Sequence, residues 1–399
     1  MSTIVIAMFP ELGHINATLK LARSLRLRGH QVYYLVGSDY EAYMRAQGLD
    51  FIRLDEGSTN GAKSSSQIDI MEYLLEARMQ GWPLNEYYTR VLQLFRQEIA
   101  SLILKLRPSL FLIDLFVPDI ALVVQELGLP FVFLNSTFVS QLADTALFNS
   151  RPDLAQVPEL ILCPGEFDFP QSRQPGKNPR YYLGASVDLQ RKEDDPFDWQ
   201  KLNPAKRLIL CSLGSQPQNL AGAKNFFEVI IDAVSELTDC QLVLVTGAHF
   251  SHDFQRVPAN VIAMPRVPLL QMIEKADVLI THGGLNTVKE ALLLGTPMIV
   301  FPASNDQPMN AARVAYHGLG LTGDLTTVTA EQARALIERV MQPGFRERVL
   351  AFRQLLQKFE AEELGSKIVE AILASVEKKA WAVSGTTEKI STARSASQL

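Results

Sequence analysis

Cysteine is scarce. Only three occur, Cys163, Cys211 and Cys240, too few and too scattered for a disulfide framework or a thiolate metal site, so a reducing compartment is expected. A basic excess is also missing. The 38 Lys and Arg stand against 43 Asp and Glu, a net charge of −5, whereas a dedicated nucleic-acid binder usually carries a strong positive surplus. No apolar run suits a membrane-spanning helix of about 20 residues. The most apolar stretch, Leu110 to Leu134, is broken by Asp114, Pro118, Asp119, Gln125 and Glu126. Met1 to Phe9 lacks a basic start and leads straight into Pro10-Glu11-Leu12-Gly13, which reads as a first strand and not as a signal peptide. A soluble cytoplasmic protein, monomeric or homodimeric, is expected. An Asp-x-Asp pair, which could hold a cation against a diphosphate, is absent as well.

What is present is core material. Of 399 residues, 47% are hydrophobic, and the length points to two domains. Thr3 to Phe9 is apolar and β-branched. From His14 the apolar positions Leu19, Ala22 and Leu25 take helical spacing, Gly29 ends that helix, and Val32 to Val36 is the next strand. Leu110 to Ile113, Ile120 to Leu127 and Phe131 to Leu134 repeat the strand and helix alternation. Between about Arg151 and Pro204 prolines cluster, charge concentrates in Arg191-Lys192-Glu193-Asp194-Asp195, and the pattern reads as a linker or long loop. Strands restart at Leu208 to Cys211, Leu242 to Val245, Val278 to Ile280 and Met298 to Phe301. Continuous apolar strands separated by helices imply an α/β chain with two doubly wound parallel sheets, Rossmann-like in architecture. The expected division is 1–190 for an N-terminal domain, 191–206 for the linker, 207–344 for a C-terminal domain, 345–382 for C-terminal helices broken at Gly365-Ser366, and 383–399 for a disordered tail.

The segment richest in chemistry is Thr281-His282-Gly283-Gly284-Leu285-Asn286-Thr287-Val288-Lys289-Glu290. It follows a strand and opens a helix. Two glycines admit a ligand to the backbone, and a helix N-terminus offers free N–H groups with partial positive charge. His282, Asn286 and Thr287 add side-chain donors that suit a diphosphate. Glu290 lies one turn on and could hold ribose hydroxyls. Ser212-Leu213-Gly214-Ser215, also after a strand, could add N–H and hydroxyl donors. Asn305-Asp306-Gln307-Pro308 combines carboxylate and amide, a set that matches sugar hydroxyls.

These residues carry a resemblance. His282-Gly283-Gly284-Leu285-Asn286-Thr287, then Gly295-Thr296-Pro297-Met298, Asp306-Gln307-Pro308-Met309-Asn310-Ala311 and Gly318-Leu319-Gly320 resemble the signature of the UDP-glycosyltransferases, in their bacterial macrolide and carotenoid branch. The resemblance implies the GT-B fold: two such domains facing a cleft, with C-terminal helices crossing back to the first. It implies that His282, Gly283, Gly284, Asn286 and Thr287, helped by Ser212, Gly214 and Ser215, hold the diphosphate. Glu290 would hold the ribose, and Asp306 and Gln307 the donor sugar. Arg266 and Val267 would lie beside the base, with Arg266 able to stack by its guanidinium face. Leu269, where many relatives have an amide, has no side-chain hydrogen bond to offer, which leaves UDP against dTDP open. His14 matches the family's catalytic base and Asp114 the carboxylate paired with it. A helix N-terminus at His14 is expected to keep its ring neutral.

The function so implied is an inverting transfer of a hexose, glucose first, from a UDP- or dTDP-sugar co-substrate to a hydroxyl of a small hydrophobic acceptor, with no other cofactor and no essential metal. Rivals are a membrane-peripheral lipid or cell-wall glycosyltransferase, a sugar-nucleotide epimerase and a non-catalytic binding subunit. The acceptor is expected among Gly57 to Gln67, Ile70 to Tyr88 and Asn135 to Phe148, where Met71, Tyr73, Leu74, Met79, Trp82, Phe138, Leu142 and Phe148 supply apolar surface.

Overall fold

A computed structural model describes residues 1–36, 40–53, 96, 99–138, 151, 153–170, 179–254 and 256–376. The first half builds β1 (Thr3–Ala7), α1 (Leu12–Leu27), β2 (Gln31–Val36), α2 (Glu41–Ala46), β3 (Asp50–Arg53), β4 (Leu110–Asp114), α3 (Pro118–Glu126), β5 (Phe131–Asn135), β6 (Glu159–Ile161) and β7 (Arg180–Tyr182). Among the described residues, seven strands lie parallel in the order β3-β2-β1-β4-β5-β6-β7. The second half builds β8 (Arg207–Ser212), α4 (Ala223–Ser235), β9 (Cys240–Val245), β10 (Val261–Met264), α5 (Leu269–Lys275), β11 (Val278–Thr281), α6 (Leu285–Leu294), β12 (Met298–Val300), α7 (Gln307–Tyr316), β13 (Gly320–Thr322), α8 (Ala330–Val340) and α9 (Pro343–Ala361). Its six strands, also parallel, run β10-β9-β8-β11-β12-β13.

Both sheets are covered on two sides, so alternate residues of a strand enter different cores. In the first sheet Val5, Phe111 and Ile113 pack on one face, and Ile4, Ile6, Leu110 and Leu112 on the other. In the second, Ile209, Leu242 and Leu244 face α4 and α8, while Leu208, Leu210 and Val243 join a cluster that also takes in Phe138, Ile161 and Phe167 of the first half. That shared cluster is where the halves meet.

The C-terminus crosses back. Glu360, at the end of α9, accepts N–H bonds from Ala185 at 2.8 Å and Ser186 at 3.2 Å. Arg28, just after α1, bonds Glu370 at 2.7 Å, and Val369 and Leu373 are buried in the first half's core. The break before this last helix falls at Glu362 and Glu363, where Glu363 has φ 49°, and not at Gly365-Ser366. Those two residues lie inside helical residues 364–376. Gly365 serves close packing instead, since a Cβ there would stand 3.1 Å from Leu21. The proline-rich stretch read as linker or loop also differs: it adds β6 and β7 to the first sheet. The expected tail lies outside the described residues. No helix among the described residues is long and apolar enough to cross a membrane.

Candidate active site

In open sheets of this order, ligands bind beyond the carboxyl ends of the two central strands from which the chain winds in opposite directions. The first sheet has that point between β1 and β4. The turn after β1 is closed by a bond from Glu11 N–H to the Phe9 carbonyl, 2.7 Å, and α1 then begins with no side chain capping it. His14 sits in its first turn. Asp114 is the last residue of β4 and is fully buried. His14 Nδ1 lies 2.6 Å from Asp114 Oδ2. The carboxylate also accepts N–H bonds from Phe9 at 3.3 Å and Phe116 at 3.0 Å, so its position is fixed by backbone. Because a carboxylate accepts, Nδ1 carries the ring proton, and Nε2 keeps a lone pair for a substrate proton. Ser136 Oγ lies 3.2 Å from Nδ1, and the rings of Phe9 and Phe116 flank the imidazole at 5.2 and 4.8 Å between centroids.

The helix N-terminus does not set the direction in which this ring's pKa moves. Burial opposes its charge, but the Asp114 charge and hydrogen bond outweigh burial, Glu11 and Asp306 add to them, and the pKa is raised above the usual 6.5. A hydrogen-bonded carboxylate at contact distance exceeds the dipole of one helix end.

The second sheet has its point between β8 and β11, where Ser212 pairs with Thr281. The two loops therefore leave side by side. Gly284 caps α6 without a side-chain bond, so among the described residues the N–H groups of its first turn have no side-chain acceptor. Gly283 has φ 89°, and a Cβ on it would stand 2.5 Å from Val300 Cγ1. Gly214 also has φ 89°, and a Cβ there would stand 2.7 Å from His282 Cε1. Only glycines let the His282 ring sit in this corner. Among the described residues no charge faces it and Nδ1 has no hydrogen-bond partner; burial pushes its pKa down to about 4. His282 is thus neutral near pH 7 and can offer an N–H but no charge. Ser212 is buried, Thr287 half-buried and Ser215 exposed beside them.

Other expected site residues meet partners that the sequence did not reveal. The Asn286 amide donates to the Gly13 carbonyl, across the boundary between halves and next to His14. Glu290 is buried and ion-paired with Arg191, whose guanidinium also bonds Glu193 at 2.9 Å. One Glu290 oxygen is therefore already engaged, and the charged run around Arg191 is not simply a solvated linker. Gln307 Oε1 accepts the N–H groups of Ala303 at 2.9 Å and Ser304 at 3.0 Å, which leaves its NH₂ for a ligand. Asp306 follows Asn305, a non-glycine residue with φ 56°. Asn310 joins the Asp306 carboxylate, 2.9 Å, to the Gly283 carbonyl, 3.0 Å. The Arg266 side chain is 68% exposed and 3.8 Å from Asp195, free to turn toward a flat ring; Val267 beside it is buried. Two further bonds link the halves: Lys289 Nζ to the Leu162 carbonyl at 2.6 Å, and His317 Nε2 to the Phe167 carbonyl at 3.1 Å. Of the expected acceptor surface, residues 57–67 and 70–88 with Met71, Tyr73, Leu74, Met79 and Trp82, and also Leu142 and Phe148, lie outside the described residues; Phe138 is buried within them.

Comparison with known proteins places these features in context. Residues 228–370 match the family described as Erythromycin biosynthesis protein CIII-like, C-terminal domain. The chain is 25% identical to the NDP-glycosyltransferase YjiC of Bacillus licheniformis, over 93% of this chain and 98% of that one. It is 22% identical to the zeaxanthin glucosyltransferase of Pantoea ananas, over 92% and 95%. Among solved structures, the glycotransferase of kitacinnamycin superposes with a TM-score of 0.72 at 24% identity, covering 93% of this chain and 99% of that one. The glycosyltransferase VinC in complex with dTDP gives 0.67 at 18%, covering 94% and 100%.

Proposed function

We propose that the chain is a glycosyltransferase of the UDP-glycosyltransferase family and that it moves a hexose, glucose first, from a nucleoside diphosphate sugar to a hydroxyl of a small hydrophobic acceptor with inversion at the anomeric carbon. The carrying observation is the 2.6 Å contact of His14 with buried Asp114, beside a second loop and helix corner whose Asn286 bonds Gly13. Nε2 of His14 takes the acceptor proton. The acceptor oxygen then bonds to the anomeric carbon from the face opposite the nucleotide, and the bond from that carbon to the β-phosphate oxygen breaks. Asp114 stabilises the imidazolium so formed. The leaving diphosphate meets the first N–H groups of α6, the Thr287 hydroxyl and the neutral ring of His282. A helix terminus can do the work of a divalent cation here, so turnover is expected without metal. Relatives that act on zeaxanthin or demethyllactenocin support an acceptor of the natural-product or carotenoid class. VinC with dTDP supports a thymidine donor beside a uridine one.

The test is release of nucleoside diphosphate from UDP-glucose and dTDP-glucose, offered with a panel of lipophilic alcohols. Acceptor-dependent release, a β-linked product from the α-linked donor, and full rate in chelator are expected. An α-linked product would refute inversion, and activity lost in chelator and restored by magnesium or manganese would refute metal independence.

A further inference from the structure

One face of α7 is polar and almost wholly engaged. Asp306 stands at its N-cap, and Asn310, Arg313 and His317 follow at spacings of four, three and four, on one side of the helix. Asn310 ties the helix to the Gly283 loop. His317 bonds the Phe167 carbonyl and stacks on the Phe167 ring. Between them, Arg313 places Nε and Nη2 at 3.0 and 2.9 Å from one oxygen of Asp168 in the other half. The guanidinium lies over Phe138 at 4.2 Å and near Phe169 at 5.1 Å. Asp168's second oxygen accepts the Tyr182 hydroxyl at 3.2 Å. Both partners are buried, with side chains 4% and 1% exposed.

A buried ion pair adds little stability over apolar groups of like volume; its best-attested use is to fix register. Arginine suits that use, since a planar fork clamped between rings has few orientations. The register in question is that of Asp306, the end of α7 whose charge is felt at His14. Phe138, under the guanidinium, is two residues from Ser136, which touches His14. We infer that Arg313 is a positioning residue, setting the sugar-holding end of α7 against the catalytic base. The inference rests on the reading of Asp306 and Gln307 as donor-sugar residues. Nothing in it requires Arg313 to touch substrate.

The experiment measures calorimetric affinities for UDP and UDP-glucose, with turnover, in wild type, Arg313→Gln, Arg313→Lys, Asp168→Asn and the Arg313→Gln/Asp168→Asn double variant. Since a misplacement of about 1 Å can lower rate about 10²-fold, Arg313→Gln is expected to lose roughly 10- to 100-fold in kcat. UDP affinity should stay within about twofold, while the ratio of UDP-glucose to UDP affinity worsens by about fivefold, on the same geometric argument. Arg313→Lys keeps the charge and the fold, and should fall between. The double variant, freed of unpaired buried charge, should remain as poor as Arg313→Gln. Recovery in the double variant, or a parallel loss of UDP and UDP-glucose binding, would overturn the inference. A wild type that binds neither ligand would instead overturn the donor-site reading beneath it.

Discussion

The two halves present the same construction twice and use it for opposite ends. In each, a loop leaves a central strand and enters an uncapped helix, with a histidine at that corner. The neighbouring central strand decides what that histidine becomes. β4 ends in a buried carboxylate 2.6 Å away, and His14 gains affinity for a proton. β8 is followed by Gly214, which brings no charge, and His282 loses that affinity, down to about 4. Backbone geometry supplies a place, and one side chain on the adjacent strand decides between proton carrier and neutral donor.

The sharpest way to break this contrast is to remove one histidine. His14→Ala should lower turnover by about 10²- to 10⁴-fold, the usual worth of a general base, with UDP affinity retained. Asp114→Asn should also lose turnover, because an amide cannot support the imidazolium. Joined in one protein, the two changes should be scarcely worse than His14→Ala alone, since they strike one proton transfer. Near-normal turnover in His14→Ala would end the assignment; multiplicative losses would give Asp114 a separate task.

Smaller, and in the opposite sense, is Gly283→Ala. A side chain at φ 89° is strained and its Cβ meets Val300 Cγ1 at 2.5 Å. The strain of such a conformation, about 1–3 kcal/mol, should weaken UDP binding roughly tenfold while the His14 pair stays intact. Calorimetric titration checks it, and loss of turnover with UDP affinity intact would mean that the glycine corner does not hold nucleotide.

The smallest effect is in pH. His14 works only when neutral, and its pKa is raised, so kcat should climb with pH through a midpoint above 6.5. Asp114→Asn should move that midpoint down. The linked stability has a definite sign: the charged pair contributes fully below about 6.5, the unfolded value, and its contribution fades as pH rises through the folded value. His282 runs the other way. With a folded value of about 4, only the unfolded chain takes its proton between 6.5 and 4, so its share of stability falls as pH falls. UDP-glucose affinity should stay level from pH 7 to about 5, above the range where this ring charges. A rise in affinity with falling pH, centred near 6.5, would show that His282 charges like an ordinary histidine.

The central strands were legible because burial on both faces writes itself as a continuous apolar run: Leu208 to Cys211 and Leu242 to Val245 are wholly buried. β3, β7, β10 and β13 lie at sheet edges, three or four residues long and partly exposed, and left no such run. β6 was hidden by the prolines around it. The places of His14 and Asp114 could be read because each stands next to a strand that could be read. The hold of Arg191 on Glu290, of Asn286 on Gly13 and of Ser136 on His14 spans 99 to 273 residues, and no local pattern encodes contacts of that reach. Asn310 was visible in the signature, but its task of joining Gly283 to Asp306 needed the fold.

Three of the bonds between halves run from a side chain of the second to a main-chain oxygen of the first: Asn286 to Gly13, Lys289 to Leu162 and His317 to Phe167. A carbonyl cannot be deleted by substitution. The first half can therefore exchange side chains at these acceptor positions without losing the acceptors, provided its backbone path is kept. Such docking makes that half a replaceable cartridge: another acceptor-binding half with the same path would offer the donor half the same three oxygens, and in a chimaera the residues to match include Asp168, the side-chain partner of Arg313, and Arg28, the partner of Glu370.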